Sequence, residues 1–170
     1  SWAAKLFLVE NNYRTIVNAE NYQILSFSKD TYQPGVENHL QTINKNDKLY
    51  YENSHIIIPE NCFNIFTLMD YLQSEIPGKI LNDILIEREG LLYEGEIKII
   101  KTSNSAVKYE LIFDLQSETT SKSIADKTDI FTWAVFKPNA KRYIWIDDNN
   151  SKLLKCQFKF GLYSMTAEIN

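Results

Sequence analysis

Glycine is scarce in this chain, five in 170 residues, and neither G-x-x-x-x-G-K nor G-x-G-x-x-G occurs. A loop that cradles phosphate with closely spaced backbone amides is therefore not expected. Histidine is scarcer still: His39 lies in a polar stretch, His55 opens a β-rich run, and neither has a partner at ligand spacing. A metal centre or a catalytic triad needs several donors converging, so no metal, no cofactor and no catalytic residue is expected. The two cysteines, Cys62 and Cys156, are far apart and match no zinc or redox spacing. Both have apolar neighbours, which favours buried free thiols; a disulfide stays open should the last strand lie beside residue 62.

Long apolar runs and a one-sided charge are also absent. No stretch is long enough to span a bilayer, and the apolar part of SWAAKLFLVENN is too short for a signal peptide. Eighteen basic against twenty-two acidic residues give a net charge of −4, which argues against a nucleic-acid or anionic-membrane partner. Hydrophobic residues at 44% and charged ones at 24% fit a soluble globular protein, and the length suffices for one well-buried core or two small ones.

What the chain does have is β-formers and turn residues in register. Asp83–Leu115 holds three β-rich runs, Ile84–Glu87, Leu91–Ile100 and Val107–Leu115, parted by Arg88-Glu89-Gly90 and Thr102–Ser105. That spacing predicts an up-and-down meander. Further strands are predicted at Trp2–Val9, Tyr13–Ala19, Tyr22–Ser28, Ser54–Pro59, 131–136, 142–147, Lys152–Phe160 and Leu162–Ile169. Glu10-Asn11-Asn12, Lys137–Ala140 and Asp147–Asn150 are read as hairpin turns, with asparagine taking left-handed positions that glycine usually fills. Asp30–Tyr51 is polar and reads as a long surface loop. Phe63–Ser74 is the best helix, capped by Asn61 or Asn64 and stopped by Pro77-Gly78. The expectation is a mainly β fold, α+β at the margin. It would be an antiparallel barrel or sandwich of about ten strands with one principal helix near 63–74. Residues 1–116 form a β-rich domain, 117–128 an exposed linker, and 129–170 hairpins packing on the same domain.

Two groups of side chains merit a functional reading. Glu87, Glu89, Glu94 and Glu96 cluster at the first meander turn, and paired carboxylates can serve as acid and base. Strand alternation puts Glu94 and Glu96 on one face with Leu92 and Lys98, the wet side of a half-buried sheet, so a solvated face is the expected reading of the cluster. Phe131, Trp133, Tyr143 and Trp145, with Lys141 and Arg142, fall on two strands predicted to be neighbours. They form a candidate subunit interface or a platform for a carbohydrate or another planar ligand. Asp147–Asn150 lacks the glycine and distal glutamate of a calcium loop, so it reads as a turn.

Ser1-Trp2-Ala3-Ala4-Lys5-Leu6, followed by Tyr13 and Tyr22, resembles the start of type VI tail-tube subunits. Lys79–Phe113, with Ile86, Gly95 and Ile97, is similar to a meander of temperate-phage tail or baseplate proteins, and Asp129–Tyr143 resembles the same group. These segments cover under half the chain. After the second strand only Pro34-Gly35 remains of the Gly/Arg/Pro-rich segment usual in tube subunits, and residues 117–170 have no clear counterpart there. The resemblance implies a structural subunit of a phage-tail-like contractile machine, without catalytic residues. Its partners would be copies of itself or other assembly subunits, its place the cytoplasm and then the particle. The alternative is a stand-alone carbohydrate- or small-ligand-binding β module using the aromatics at 131–146.

Overall fold

Side chains that alternate in burial every second residue set the architecture. The computed structural model of the chain describes residues 9–59, 61–74, 81–102, 105–116, 123–125 and 127–168. The strand expected over 2–9 and the helix stop at 77–78 lie essentially outside them. β1 (Glu10–Val17), β2 (Ile24–Gln33), β3 (Val36–Lys45), β4 (Lys48–Tyr50) and β5 (His55–Ile57) form an antiparallel five-stranded sheet in chain order. β6 (Cys62–Phe63), β7 (Leu81–Arg88), β8 (Leu91–Thr102), β9 (Ala106–Leu115), β10 (Lys141–Asp147), β11 (Leu153–Phe160) and β12 (Tyr163–Glu168) form a seven-stranded sheet. Its order runs β12-β11-β10-β9-β8-β7-β6, antiparallel except for the β6–β7 pair. The fold is thus mainly β as expected, with twelve strands among the described residues instead of about ten, in two sheets.

The meander appears as read. Arg88 faces Leu91 across Glu89 and Gly90, both at positive φ (51° and 86°), the geometry of a type I′ hairpin turn. A Cβ on Gly90 would also lie 2.5 Å from Ile124 Cδ1. Gly90→Ala is therefore expected to lower stability by about 1–2 kcal/mol, the cost of the left-handed region for an L-residue, read by chemical denaturation.

Helix α1 (Ile65–Ser74) starts where Asn64 Oδ1 accepts from the amides of Phe66 (3.0 Å) and Thr67 (2.9 Å). It buries Ile65, Leu68, Met69 and Leu72. These pack with Ile86, Tyr93, Ile97, Leu111 and Ile144 of the seven-stranded sheet in the larger core. The smaller core joins Ile24, Phe27, Leu40, Leu49 and Ile58 to Leu85 and Leu92. Strand β7 is consequently buried on both faces, Ile84 and Ile86 toward one core, Leu85 and Glu87 toward the other. Both cysteines are buried and free, as expected.

Three readings need correction. Asp30–Tyr51 is no loop: Pro34-Gly35 closes the β2–β3 hairpin, and Asn46-Asp47, both at positive φ, close β3 onto β4. Its alternation was hidden because Thr31 and Thr42, and Lys29 just before them, share the inward positions with Leu40 and Leu49. Glu10–Asn12 begins β1 instead of turning. Residues 131–136 are not a strand but most of helix α2 (Ile130–Phe136), and Lys137–Ala140 joins that helix to β10. Asp129 caps α2, accepting from the Thr132 amide at 2.8 Å. In the stretch expected as a linker, residues 117–122 and 126 lie outside the described ones. Ser123, Ile124 and Thr128 are half-buried against the core. Beyond it, β10 pairs with β9 and so extends the same sheet.

Candidate functional site

The conversion of 131–136 to helix separates the aromatic group. Phe131 points inward, its ring 5.8 Å from Phe66, 5.9 Å from Tyr13 and 5.7 Å from Phe158. Trp133 stays on the surface, 40% exposed, edge-on to Phe160 at 4.9 Å. On β10, alternation sends Arg142, Ile144 and Ile146 inward and leaves Lys141, Tyr143 and Trp145 on the outer face. Lys108 Nζ lies over both outer rings, 4.0 Å from Tyr143 and 4.7 Å from Trp145.

Arg142 does not join Lys141 at the surface. Its guanidinium donates to the carbonyls of Val135, Ala140 (2.9 Å) and Lys137 (3.0 Å), satisfying the end of α2. Burial draws its pKa down to about 10, against the opposing pull of Asp114 and Tyr93. A single platform containing Phe131, Trp133, Tyr143, Trp145, Lys141 and Arg142 is therefore not present; the group occupies four separate places.

The exposed apolar surface lies elsewhere. At the β11–β12 hairpin Phe160 stacks on Tyr163 at 5.5 Å, Tyr163 is 72% exposed and Leu162 is fully exposed. With Trp133 they make a ridge beside β12, an edge strand that among the described residues pairs only with β11. β12 carries one charge, Glu168, and that is tied to Lys155 across the pair. Edge strands usually carry lysine, proline or a bulge that discourages further pairing, and here none of these is found. A second apolar row crosses the outer face of the five-stranded sheet through Ile16, Ile43 and Tyr50, in register by way of Ser26.

The least expected feature is polar and buried. Lys29, on an inward position of β2, is 1% exposed, and its ammonium meets the Glu89 carboxylate and Asp129 Oδ2 (3.1 Å). Glu89 also accepts from Thr128 (2.7 Å) and Ser123 (3.3 Å), and Arg88 stands 3.3 Å from it. Asp129 Oδ1 accepts from the Tyr13 hydroxyl at 2.6 Å and Oδ2 from the Thr132 hydroxyl at 2.6 Å. Burial alone would raise the Asp129 pKa, but the Thr132 and Tyr13 donors and the Lys29 charge outweigh it and hold the group below its ordinary value. The same burial, with Asp129 alongside, raises the Tyr13 phenol.

Next to this cluster Glu87 accepts from the Tyr51 hydroxyl and the Gly90 amide (2.8 Å). Burial lifts its pKa to about 7, and the Glu89 charge adds to that. Glu87 and Glu89 are therefore not on the solvated face; Glu94 is exposed and Glu96 half-buried on the outer side of β8. The sequence did carry one signal for the cluster, Asp129-x-x-Thr132, a helix-start pattern inside a run of β-formers.

His39 pairs with Asp30 on the outer face of β2–β3, and His55 stacks on Tyr50 at 5.3 Å. Among the described residues no three His, Cys, Asp or Glu side chains are placed to hold a metal ion. No described helix is long and apolar enough to cross a membrane. No family model, no curated protein and no solved structure matches this chain.

Proposed function

We propose that the chain is a non-catalytic structural subunit of a tail-like assembly, associating with its own copies or other subunits through sheet edges and apolar patches. The observation that carries this reading is the unguarded β12 edge beside the Trp133–Phe160–Tyr163 ridge and the fully exposed Leu162. Backbone donors and acceptors along such an edge accept another strand, and the apolar ridge supplies area to hold it. The likeness of the opening segment and the meander to tail proteins gives the reading its class of assembly. Leu162→Glu together with Tyr163→Glu is expected to abolish association in sedimentation velocity. The thermal midpoint should move by no more than a degree or two, because neither side chain is buried. Association that survives this double change at wild-type strength would remove the β12 ridge from the interface.

The outward Tyr143 and Trp145 support a second reading, a platform for a planar ligand. Trp145→Ala would then remove binding of an oligosaccharide, followed by calorimetry, while leaving the fold intact.

A further inference from the structure

We propose that Lys29 and Asp129 condense within the folded chain to an intramolecular amide, with Glu89 relaying the proton, so that β2 becomes covalently tied to the start of α2. This rests on the buried cluster and is independent of how the chain associates.

Three groups in one dry site supply the chemistry. Lys29, Glu89 and Asp129 are 1%, 3% and 0% exposed. Nucleophile and electrophile are neighbours, with Nζ hydrogen-bonded to Asp129 Oδ2 at 3.1 Å, so the encounter entropy of a bimolecular reaction is already spent. Asp129 Oδ1 is held by two donors, the Tyr13 hydroxyl at 2.6 Å and the Thr132 amide at 2.8 Å. Such a pair polarises the carboxyl carbon and stabilises the charge that gathers on Oδ1 when nitrogen adds. Oδ2, the oxygen facing Lys29, is the one positioned to leave. Glu89 bonds the same nitrogen and so takes its proton. Tyr13, whose hydroxyl meets Asp129, packs its ring on Phe66 (4.6 Å) and Phe131 (5.9 Å).

The step balances without any other reagent. Glu89 accepts one proton from the Lys29 ammonium, and the freed lone pair attacks Asp129 Cγ. The Nζ–Cγ bond forms and the Cγ–Oδ2 bond breaks. The proton held by Glu89 and a second one from nitrogen both finish on Oδ2, which departs as water. Glu89 is regenerated as a carboxylate. In water the separated ions would be preferred; in this site the reaction replaces two buried charges by a neutral amide, removing the desolvation they otherwise cost.

Intact mass of the full chain, folded, incubated and then denatured, tests this directly. The expected mass is lower than that of the sequence by one water. Proteolysis should yield a branched peptide joining Lys29 to Asp129, with no tryptic cut after Lys29. Asp129→Asn should give a product of identical mass, because ammonia then leaves in place of water. Glu89→Gln, which keeps shape and removes the relay, should retain the full sequence mass while its circular dichroism stays native. Folded wild-type chain that keeps its full mass after incubation would overturn the proposal, as would a water loss that maps to any other pair of residues.

Discussion

Replacing Lys29 by Met is expected to lower the free energy of unfolding by about 3–5 kcal/mol relative to wild-type chain that still has its full mass and so its free ion cluster, the usual consequence of leaving a buried ionic partner alone. Lys29 is 1% exposed and faces two carboxylates. Once it is gone, Glu89 keeps Arg88 at 3.3 Å, whereas among the described residues Asp129 keeps the neutral donors Tyr13 and Thr132. The loss should therefore fall mainly on the Asp129 side. Lys29→Met combined with Asp129→Asn should recover a large part of it, since the amide still accepts from Thr132 and brings no charge. Urea denaturation of the two single variants and the double variant reads this coupling. A Lys29→Met loss below 1 kcal/mol, or no recovery in the double variant, would mean that Lys29 is not the charge that balances Asp129.

The second large effect is a dependence on pH set by Glu87. Its carboxyl is raised from 4.5 to about 7 by burial, with Glu89 contributing in the same direction. The folded state therefore holds a proton that the unfolded state has already released between those two values. Stability from this group is fully present below pH 4.5, is lost as pH rises toward 7, and settles above that. The difference amounts to about 3 kcal/mol over the window. Asp129 acts in a separate range: held below its ordinary value, it contributes stability that disappears only in more acidic solution, as pH falls through its folded pKa. Glu87→Gln keeps an acceptor for the Gly90 amide and the Tyr51 hydroxyl without the charge. This variant should be more stable than the wild type at pH 8 and should lose the slope between pH 4.5 and 7. Parallel slopes for wild type and variant across that window would place the proton on another group.

How much of this was legible in the sequence depends on what each side chain faces. The meander was readable because Leu91, Tyr93, Ile97 and Val107, Tyr109, Leu111 mark one face and Glu89-Gly90 supplies the left-handed turn. Helix α1 was readable because Asn64 and Thr67 form its cap and four apolar side chains recur at helical spacing. The second half of β2, with β3 and β4, was not, since an inward lysine and inward threonines make a buried line look solvated. Helix α2 was hidden for the opposite reason: Ile130, Phe131, Thr132 and Val135 favour strands, and tertiary packing with an Arg142 cap overrides that preference. Glu87 and Glu89 were assigned to solvent because alternation along one strand tells which residues share a face. It does not tell that a second sheet covers that face.

The same limit applies to the aromatic residues, whose grouping assumed two neighbouring strands where one is a helix. Their dispersal moves attention to the β12 edge, which sequence alone showed only as the last of several runs. Light scattering coupled to size-exclusion chromatography, repeated over a range of concentrations, tests the central claim most directly. The expected result is a molar mass that climbs from 19.8 kDa to a defined multiple of it. A mass fixed at 19.8 kDa up to the highest concentration would contradict association through sheet edges as the way this chain works.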